Sequence, residues 1–508
     1  MISSEKACPL WMPKHIAAKH YVIYSVMLLY LACNAALCAL YPFYVVFSVN
    51  LLIVLSVLFL IKPTWGVYCL IFLVPVSRET VYFAFTGTWN IHFIFKQSEF
   101  YLNAMPLYTP VLLMTCAGFV LHRWASLNNV RLRADIRVLF GAIAVYAAIT
   151  LYWTENLLHG ISQYYYLVSN IMLFTVVVYT AVAENAHRKI LWCLLFSCLL
   201  EAVLSYWFRA LDTYIDYGFI GDVVYGIRIY GGLLASDGSP EQAHGLQDAH
   251  ETATLMNIFI GVATALFLTV KTKESKIFLG LCVVIGLSVV IGTESRAGAG
   301  AFIVMAMCFL FVNKRTSKHF TRYVVVLLAT ALVFYVVEQK IFSTIAGKDT
   351  TIMRLLRIGG QIVDSGDIID PGLSKSETAG QGRRTIWGHG FSGLVTKWPV
   401  GIGIGSYKYL YNTPHAHSVP FSFLFDFGLI GFAMFFLTFY TIIKHYLKLI
   451  KLQETYMQLM SMCLMSTLAA VIVHGCFDYD YTYPLFWLFG GLLYSTLLLA
   501  AEPEQALT

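Results

Sequence analysis

Charged residues are scarce in this chain of 508 residues: Asp, Glu, Lys and Arg make up 12% of it, whereas hydrophobic residues make up 58%. Soluble domains carry about 25% charged residues, so an ordinary soluble protein is excluded. The basic residues, which leave a formal charge of +6, fall mostly in short loops and form no basic-aromatic platform. We therefore expect no nucleic-acid partner.

Motifs for metal and nucleotide binding are also missing. The 11 cysteines include no C-x-x-C pair, and most lie in apolar runs, where cysteine behaves as a small buried hydrophobe. No glycine-rich nucleotide-binding loop is present. Asp478 and Asp480 form a D-x-D pair, but no further predicted ligands accompany it. We expect neither a metal nor another cofactor.

Long apolar runs, in contrast, recur along the whole chain, and several approach the ~20 residues that a helix needs to cross a bilayer. The sequence predicts an all-α polytopic membrane protein with about 12 to 14 transmembrane helices, the range reflecting a short third run. The predicted spans are residues 21–40, 43–61, 64–77, 106–121, 138–153, 164–183, 190–207, 252–270, 277–293, 297–312, 323–338, 418–441, 457–476 and 484–501.

The distribution of Lys and Arg over the short loops predicts the orientation, because basic loops stay in the cytoplasm. Alternate loops hold most of these residues, so we expect both termini on that side. The chain divides into N-terminal transmembrane helices (1–208), central helices with an outer loop at 209–251 (209–338), a large outer loop (339–417) and C-terminal helices (418–508). The large loop is too long for a plain connection. Apolar patches such as Ile386 and Trp387 predict short helices within it, lying on the membrane surface.

Residues 383–431 carry the most distinctive pattern. A polar, glycine-rich segment gives way to an apolar helix with Ser418 as its predicted N-cap and a proline in its first turn. Steps of four and three residues from His417 predict one helix face, on which two glycines would admit a close neighbouring helix: Phe421, Leu424, Gly428 and Gly431. Basic side chains beside a helix N-terminus suit a phosphate-bearing ligand.

His417-Ser418, nine further residues and then Gly428-x-x-Gly431 resemble the signature of the O-antigen ligase and polymerase superfamily, His-(Asn/Ser/Gln)-x9-Gly-x-x-Gly. Upstream, Arg384, Trp387 and residues 399–403 (Pro-Val-Gly-Ile-Gly) resemble the same family's Arg…Trp…Pro-x-Gly-x-Gly run. The resemblance covers roughly residues 228–478. It implies a GT-C-type glycosyltransferase of the bacterial inner membrane, with a partly helical periplasmic loop, a periplasmic active site and metal-independent chemistry.

The resemblance also implies which residues act. His417 would accept a proton from the acceptor hydroxyl, which would displace a diphosphate with inversion at the anomeric carbon. Arg296 and Arg384 would bind the departing diphosphate. Arg228 matches more loosely, and Arg383 could substitute for its neighbour. The remaining residues of the family motifs are Ser418, Trp387, Gly428, Gly431 and Asp478.

Several alternatives stay open. The resemblance implies a glycan donor on undecaprenyl diphosphate, in contact with membrane lipids. Lipid A-core is the favoured acceptor, a second lipid-linked glycan is the alternative of a polymerase, and protein O-glycosylation is third. A transporter of lipid-linked glycans is the rival from another class. Asp426, nine residues past His417, falls on the other side of the helix, so we predict that it is a structural partner. Glu201 has no predicted role.

Overall fold

A computed structural model of the protein describes residues 43–76, 108–127, 134–211, 219–220, 223–224, 249–293, 295–312, 383–411, 416–449, 456–477 and 481–505. The predicted spans at 21–40 and 323–338, Arg228, Asp478 and most of the loop at 339–417 lie outside these residues. The helix total of about 12 to 14 therefore remains a prediction.

The described elements are helices, apart from the two-residue strands β1 (Phe219–Ile220) and β2 (Val223–Val224), which pair antiparallel. The first group of helices is α1 (Phe43–Ile61), α2 (Pro63–Val76), α3 (Tyr108–Leu127), α4 (Ala134–Thr150), α5 (Leu157–Ala183) and α6 (His187–Leu211). The second group is α7 (Ala249–Thr269), α8 (Lys273–Gly292), α9 (Arg296–Val312), α10 (Arg383–Thr396), α11 (Tyr407–Tyr411), α12 (Val419–Leu449), α13 (Tyr456–Gly475) and α14 (Pro484–Gln505).

Each predicted span that falls within the described residues coincides with one of these helices. Among those residues, six helices are long and apolar enough to cross a membrane. The protein is thus an all-α polytopic membrane protein. The helix predicted at Ile386 and Trp387 is present as α10.

Helix α7 lies at the centre of the bundle and packs against α6, α8, α9 and α13. Its residues 251–263 are all buried, including Glu251, Thr252 and Asn257. An apolar helix that is covered on every side belongs to the interior of a large bundle. Polar side chains within it must find partners there, because no water is available to them.

The bundle has two distinguishable ends. At one of them α6 and α8 end, α7 and α9 begin, and α13 ends close to the start of α12; we call this the site end. A Cβ built on Gly475, the last residue of α13, would lie 3.3 Å from Cγ2 of Val419, the first residue of α12. The opposite end is tied by His187, at the start of α6, whose Nε2 lies 2.6 Å from Oγ1 of Thr496 in α14.

Helix α12 is broken at Gly428, whose φ of 64° and ψ of −162° are not helical. This backbone region is open essentially to glycine alone. The continuous helix face predicted from His417 to Gly431 is therefore wrong. The prediction of a close neighbouring helix is wrong as well: a Cβ on Gly428 would overlap the carbonyl of Pro399 in a loop, and one on Gly431 would overlap Phe427 of the same helix.

A loop of residues 397–406 fills the break and supplies the missing hydrogen bonds. The N–H groups of Ile402 and Gly403 donate to the carbonyls of Phe425 and Asp426, at 2.8 and 3.0 Å. Below the break, the N–H of Leu429 donates to the carbonyl of Pro399, 2.9 Å away. Backbone groups that lose a helical partner inside a bundle must bond elsewhere, and here the loop satisfies them.

Candidate functional site

The second turn of α10 contacts the residue that precedes His417. Arg383 and Arg384 both stand in the first turn of this helix. One turn along, the indole Nε1–H of Trp387 donates to the carbonyl of Ala416 at 2.9 Å, and its ring centroid lies 4.8 Å from that of Phe421. Because Ala416 immediately precedes His417, this contact holds α10 near the predicted base at a point one turn from the two arginines.

His417 itself adopts the left-handed conformation, with a φ of 49°, and is half-buried between two buried neighbours. This region is uncommon for residues other than glycine, although histidine is among the types enriched in it. Ser418 then caps α12: its Oγ accepts from the N–H of Phe421 at 3.4 Å, which confirms the predicted N-cap. The imidazole is thus carried by a sharp turn at the start of a helix.

A chain of polar contacts runs from α13 across α7 to α9 at the site end. Nδ1 of the buried His474 lies 2.8 Å from Oγ1 of Thr254. Thr254 also donates to the carbonyl of His250, one turn earlier, at 3.5 Å. Nδ1 of His250 lies 3.0 Å from Oγ of Ser295, which accepts from the N–H of Gly298. Arg296 follows as the first residue of α9.

These contacts connect the surroundings of His417 to those of Arg296 through the bundle. His474 precedes Gly475, which packs against Val419, two residues beyond His417. At the other end of the chain of contacts, Ser295 precedes Arg296. The elements that carry Arg296, Arg384 and His417 therefore meet at the same end of the protein.

His250 and Thr254 are site-end residues that the sequence interpretation missed. Their spacing of four residues on one apolar helix was the available signal, because polar residues repeated on one face of a membrane helix usually face the bundle interior. The stretch that contains them matches the family pattern only loosely, so the family pattern did not point to them.

Glu201 has a structural explanation that the sequence did not supply. Its side chain is fully buried in α6, and Oε1 accepts a hydrogen bond from Oγ1 of Thr252 in α7 at 3.3 Å. Glu251 is buried in the same turn of α7. Glu201 thus belongs to a group of buried polar side chains near the start of α7, together with Glu251 and Thr252.

The loop of residues 397–406, which we call the glycine-rich loop, connects several helices, and its backbone amides donate to acceptors within the protein. The N–H of Gly405 donates to Oδ2 of Asp426 at 3.2 Å, and the hydroxyl of Tyr481 donates to the same oxygen at 2.7 Å. The N–H of Ile404 donates to Oγ1 of Thr150. Since the described amides of Ile402, Gly403, Ile404 and Gly405 all have protein acceptors, the loop does not form an anion cradle. Asp426 is the structural partner that was predicted.

Tyr407 connects α10 to the part of α12 before Gly428. It stacks on Phe425 with ring centroids 5.8 Å apart, and its hydroxyl donates to the carbonyl of Ile386 in α10. Burial raises the pKa of Tyr407 above its ordinary value, and the nearby Tyr411 and Asp426 raise it further. The neutral phenol therefore remains a hydrogen-bond donor that holds α10 in place.

Among the described residues, no group of three or more His, Cys, Asp or Glu side chains is placed to hold a metal ion. The D-x-D pair at Asp478 and Asp480 lies outside those residues.

Comparison with known proteins gives one family. Residues 281–436 match the family model described as O-antigen ligase. This match confirms the resemblance predicted from the signature residues, and it runs from within α8 to within α12, including Arg296, Arg384 and His417. The family is one of glycan transfer of the O-antigen ligase and polymerase type. No curated protein matches the chain.

Proposed function

We propose that this chain, whose residues 281–436 match the O-antigen ligase family, transfers a glycan from undecaprenyl diphosphate to a hydroxyl of lipid A-core. The reaction takes place at the periplasmic face of the bacterial inner membrane. The observation that carries the proposal is the bond from Trp387 to Ala416, because Trp387 lies one turn from the two arginines and Ala416 immediately precedes His417.

In the proposed reaction His417 accepts the proton of the acceptor hydroxyl. The acceptor oxygen forms a bond to the anomeric carbon from the face opposite the diphosphate. The bond from that carbon to the diphosphate oxygen breaks, and the electron pair leaves with undecaprenyl diphosphate. A histidine suits this task, because it is the side chain that most often acts as a general base.

Arg296 and Arg384 stabilise the leaving diphosphate, whose charge grows as the bond to the sugar breaks. Permanently charged guanidinium groups that are already in position stabilise such charge most effectively. The proposal draws support from the contacts that join α9 and α10 to the start of α12. Arg383 shares the turn of Arg384, and Arg228 is a further candidate from the loop at 209–251.

The decisive experiment uses the full chain in nanodiscs, with a synthetic undecaprenyl diphosphate-linked glycan and lipid A-core. We expect His417→Ala to lower the transfer rate by about 100-fold or more, the usual contribution of a general base. Arg384→Lys should lower kcat/KM by about tenfold, since it loses the fork that matches a diphosphate. Transfer by the His417→Ala protein at the wild-type rate would refute the mechanism.

Arg188→Lys is the matched control, because Arg188 is exposed at the opposite end of the bundle. Its rate should equal that of the unmodified protein. A chelator should leave the rate unchanged as well.

The product decides the acceptor. Glycan on lipid A-core supports a ligase, whereas longer lipid-linked chains in the absence of lipid A-core indicate a polymerase. In cells that lack their own ligase, the His417→Ala variant should leave donor accumulated at the outer face. Donor trapped inside such cells would indicate a transporter.

A further inference from the structure

Helix α10 and the turn after it expose large apolar side chains on one side. Val395 is 77% exposed and Trp398 is 58% exposed, and Phe391, one turn before Val395, is exposed as well. The other side of α10 is buried: Ile386 and Leu394 are covered, and a Cβ on Gly390 would overlap the ring of Phe425. The side that bears Val395 and Trp398 is therefore a second apolar face, next to Phe391, whose ring contacts Phe421 and Phe425.

This face continues directly into α12 below its break. Pro399, next to Trp398, accepts the hydrogen bond of Leu429. Leu429 and Ile430 are exposed, and exposed apolar residues then recur at intervals of three and four: Ala433, Phe436, Leu437, Tyr440, Ile443 and Leu447. Such a stripe on a candidate membrane span is the surface that lipid covers.

The length of the lower part of α12 suits a membrane crossing that ends at the break. Residues 429–449 number about 21 and extend roughly 31 Å, which matches a hydrocarbon core of about 30 Å. In such a crossing the break at Gly428 lies at one edge of that core. The loop that carries Lys397, Trp398 and Pro399 lies at the same level, because it is bonded to Leu429.

We propose that Val395, Trp398, Leu429 and Ile430 form a membrane-contact patch that inserts into the interfacial layer of the lipid leaflet at the site end. Aromatic side chains with an adjacent lysine are typical of this layer, where the ring lies among the headgroups and the ammonium approaches a lipid phosphate. Trp398 and the exposed Lys397 provide that pair.

The occupant is lipid because the patch runs without interruption into the lipid-facing stripe of α12. A protein partner would require a polar rim around the contact, whereas here the patch borders the stripe directly. The patch holds the end of α10 at the membrane edge, while the start of the same helix lies at His417. Its position thereby sets the height of the arginine-bearing turn above the lipid.

Photo-crosslinking of the full chain in phospholipid nanodiscs tests the patch without any assay of glycan transfer. A benzoylphenylalanine is introduced at Val395, or at Trp398 in a second variant, and adducts are identified by mass spectrometry. Leu437 on the stripe is the positive control. Thr272, exposed in a short polar loop between α7 and α8, is the negative control.

We expect phospholipid adducts at Val395 and Trp398 in yields within about threefold of Leu437, and about tenfold above Thr272, as interfacial contact requires. Adducts at Leu437 but none at either patch position would overturn the proposal. Adducts between two copies of the chain would overturn it too, by showing a protein partner. These results are independent of the proposed reaction, since an inactive protein gives the same adducts.

Discussion

The two parts of α12, residues 419–427 and 429–449, are both rich in phenylalanine but have different surroundings. Most residues before Gly428 are buried, whereas an exposed stripe runs along the part after it. The outer part packs against α10, the glycine-rich loop and Tyr481, and the lower part faces lipid on one side. The two parts thus have similar compositions but different surroundings. The break separates the side chains that pack inside the protein from those that face lipid.

Gly428→Ala should have the largest effect, because it attacks the break itself. The backbone at φ 64° and ψ −162° costs about 1–3 kcal/mol for other residues, and the added Cβ overlaps the carbonyl of Pro399. We expect a loss of more than about 3 kcal/mol in the free energy of unfolding, seen as little monodisperse protein after heating and size-exclusion chromatography. Gly141→Ala, where nothing lies within 4 Å of the new Cβ, should keep wild-type stability. Equal stability of the two variants would contradict a required break.

Phe423→Ala and Phe436→Ala compare the two parts directly. Phe423 is 1% exposed and contacts Phe427, Phe435 and Tyr481, so its removal leaves a cavity that should cost about 3 kcal/mol. Phe436 is 50% exposed, so lipid replaces most of the lost contact and the cost should stay below about 1 kcal/mol. Thermal unfolding in nanodiscs measures both. A similar cost for the two variants would mean that both parts have the same surroundings.

Asp426→Ala tests the bonds that fasten the loop to the outer part. It removes the acceptor of Gly405 and Tyr481 and should cost about 2 kcal/mol, because buried donors are left unsatisfied. Tyr481→Phe removes one of the two bonds and should cost about 1 kcal/mol. The control is Tyr152→Phe, since that side chain is 94% exposed. If the Tyr481→Phe and Tyr152→Phe variants unfolded at the same temperature, the hydrogen bond from Tyr481 to Asp426 would contribute nothing measurable.

Trp387→Phe should have the smallest effect on stability and a clearer one on transfer. The ring contact with Phe421 can persist, but the hydrogen bond to Ala416 is lost, at about 1 kcal/mol. We expect kcat to fall several-fold more than this change in unfolding predicts, because the arginine turn loosens against His417. Trp65→Phe, at an exposed site in α2, should change neither quantity. An unchanged kcat for Trp387→Phe would show that this contact does not position the base.

The sequence predicted well whatever depends on neighbours along the chain. Ser418 was identified as an N-cap because its partner, Phe421, is three residues away. Asp426 was assigned to the bundle because helix geometry alone turns it away from His417. The prediction of one helix face from His417 to Gly431 was wrong because it also used only neighbours along the chain. Residues on both sides of Gly428 are apolar at helical spacing, so this pattern does not reveal the break.

The polar partners of the site end were beyond the reach of any local pattern. His250 and Ser295 are 45 residues apart, and Thr254 and His474 are 220 apart. Such pairs form only when the helices pack, and no residue type by itself selects its partner from several helices.

The sequence by itself determined the membrane class, the helices and the cap of α12, because apolar run length and side-chain-to-backbone bonds act over a few residues. Tertiary structure decided where α12 breaks, which amides the loop satisfies and which helix ends meet at His417. The physical reason is that a buried backbone or polar group must be paired, and the partner can come from any helix that packing brings within reach.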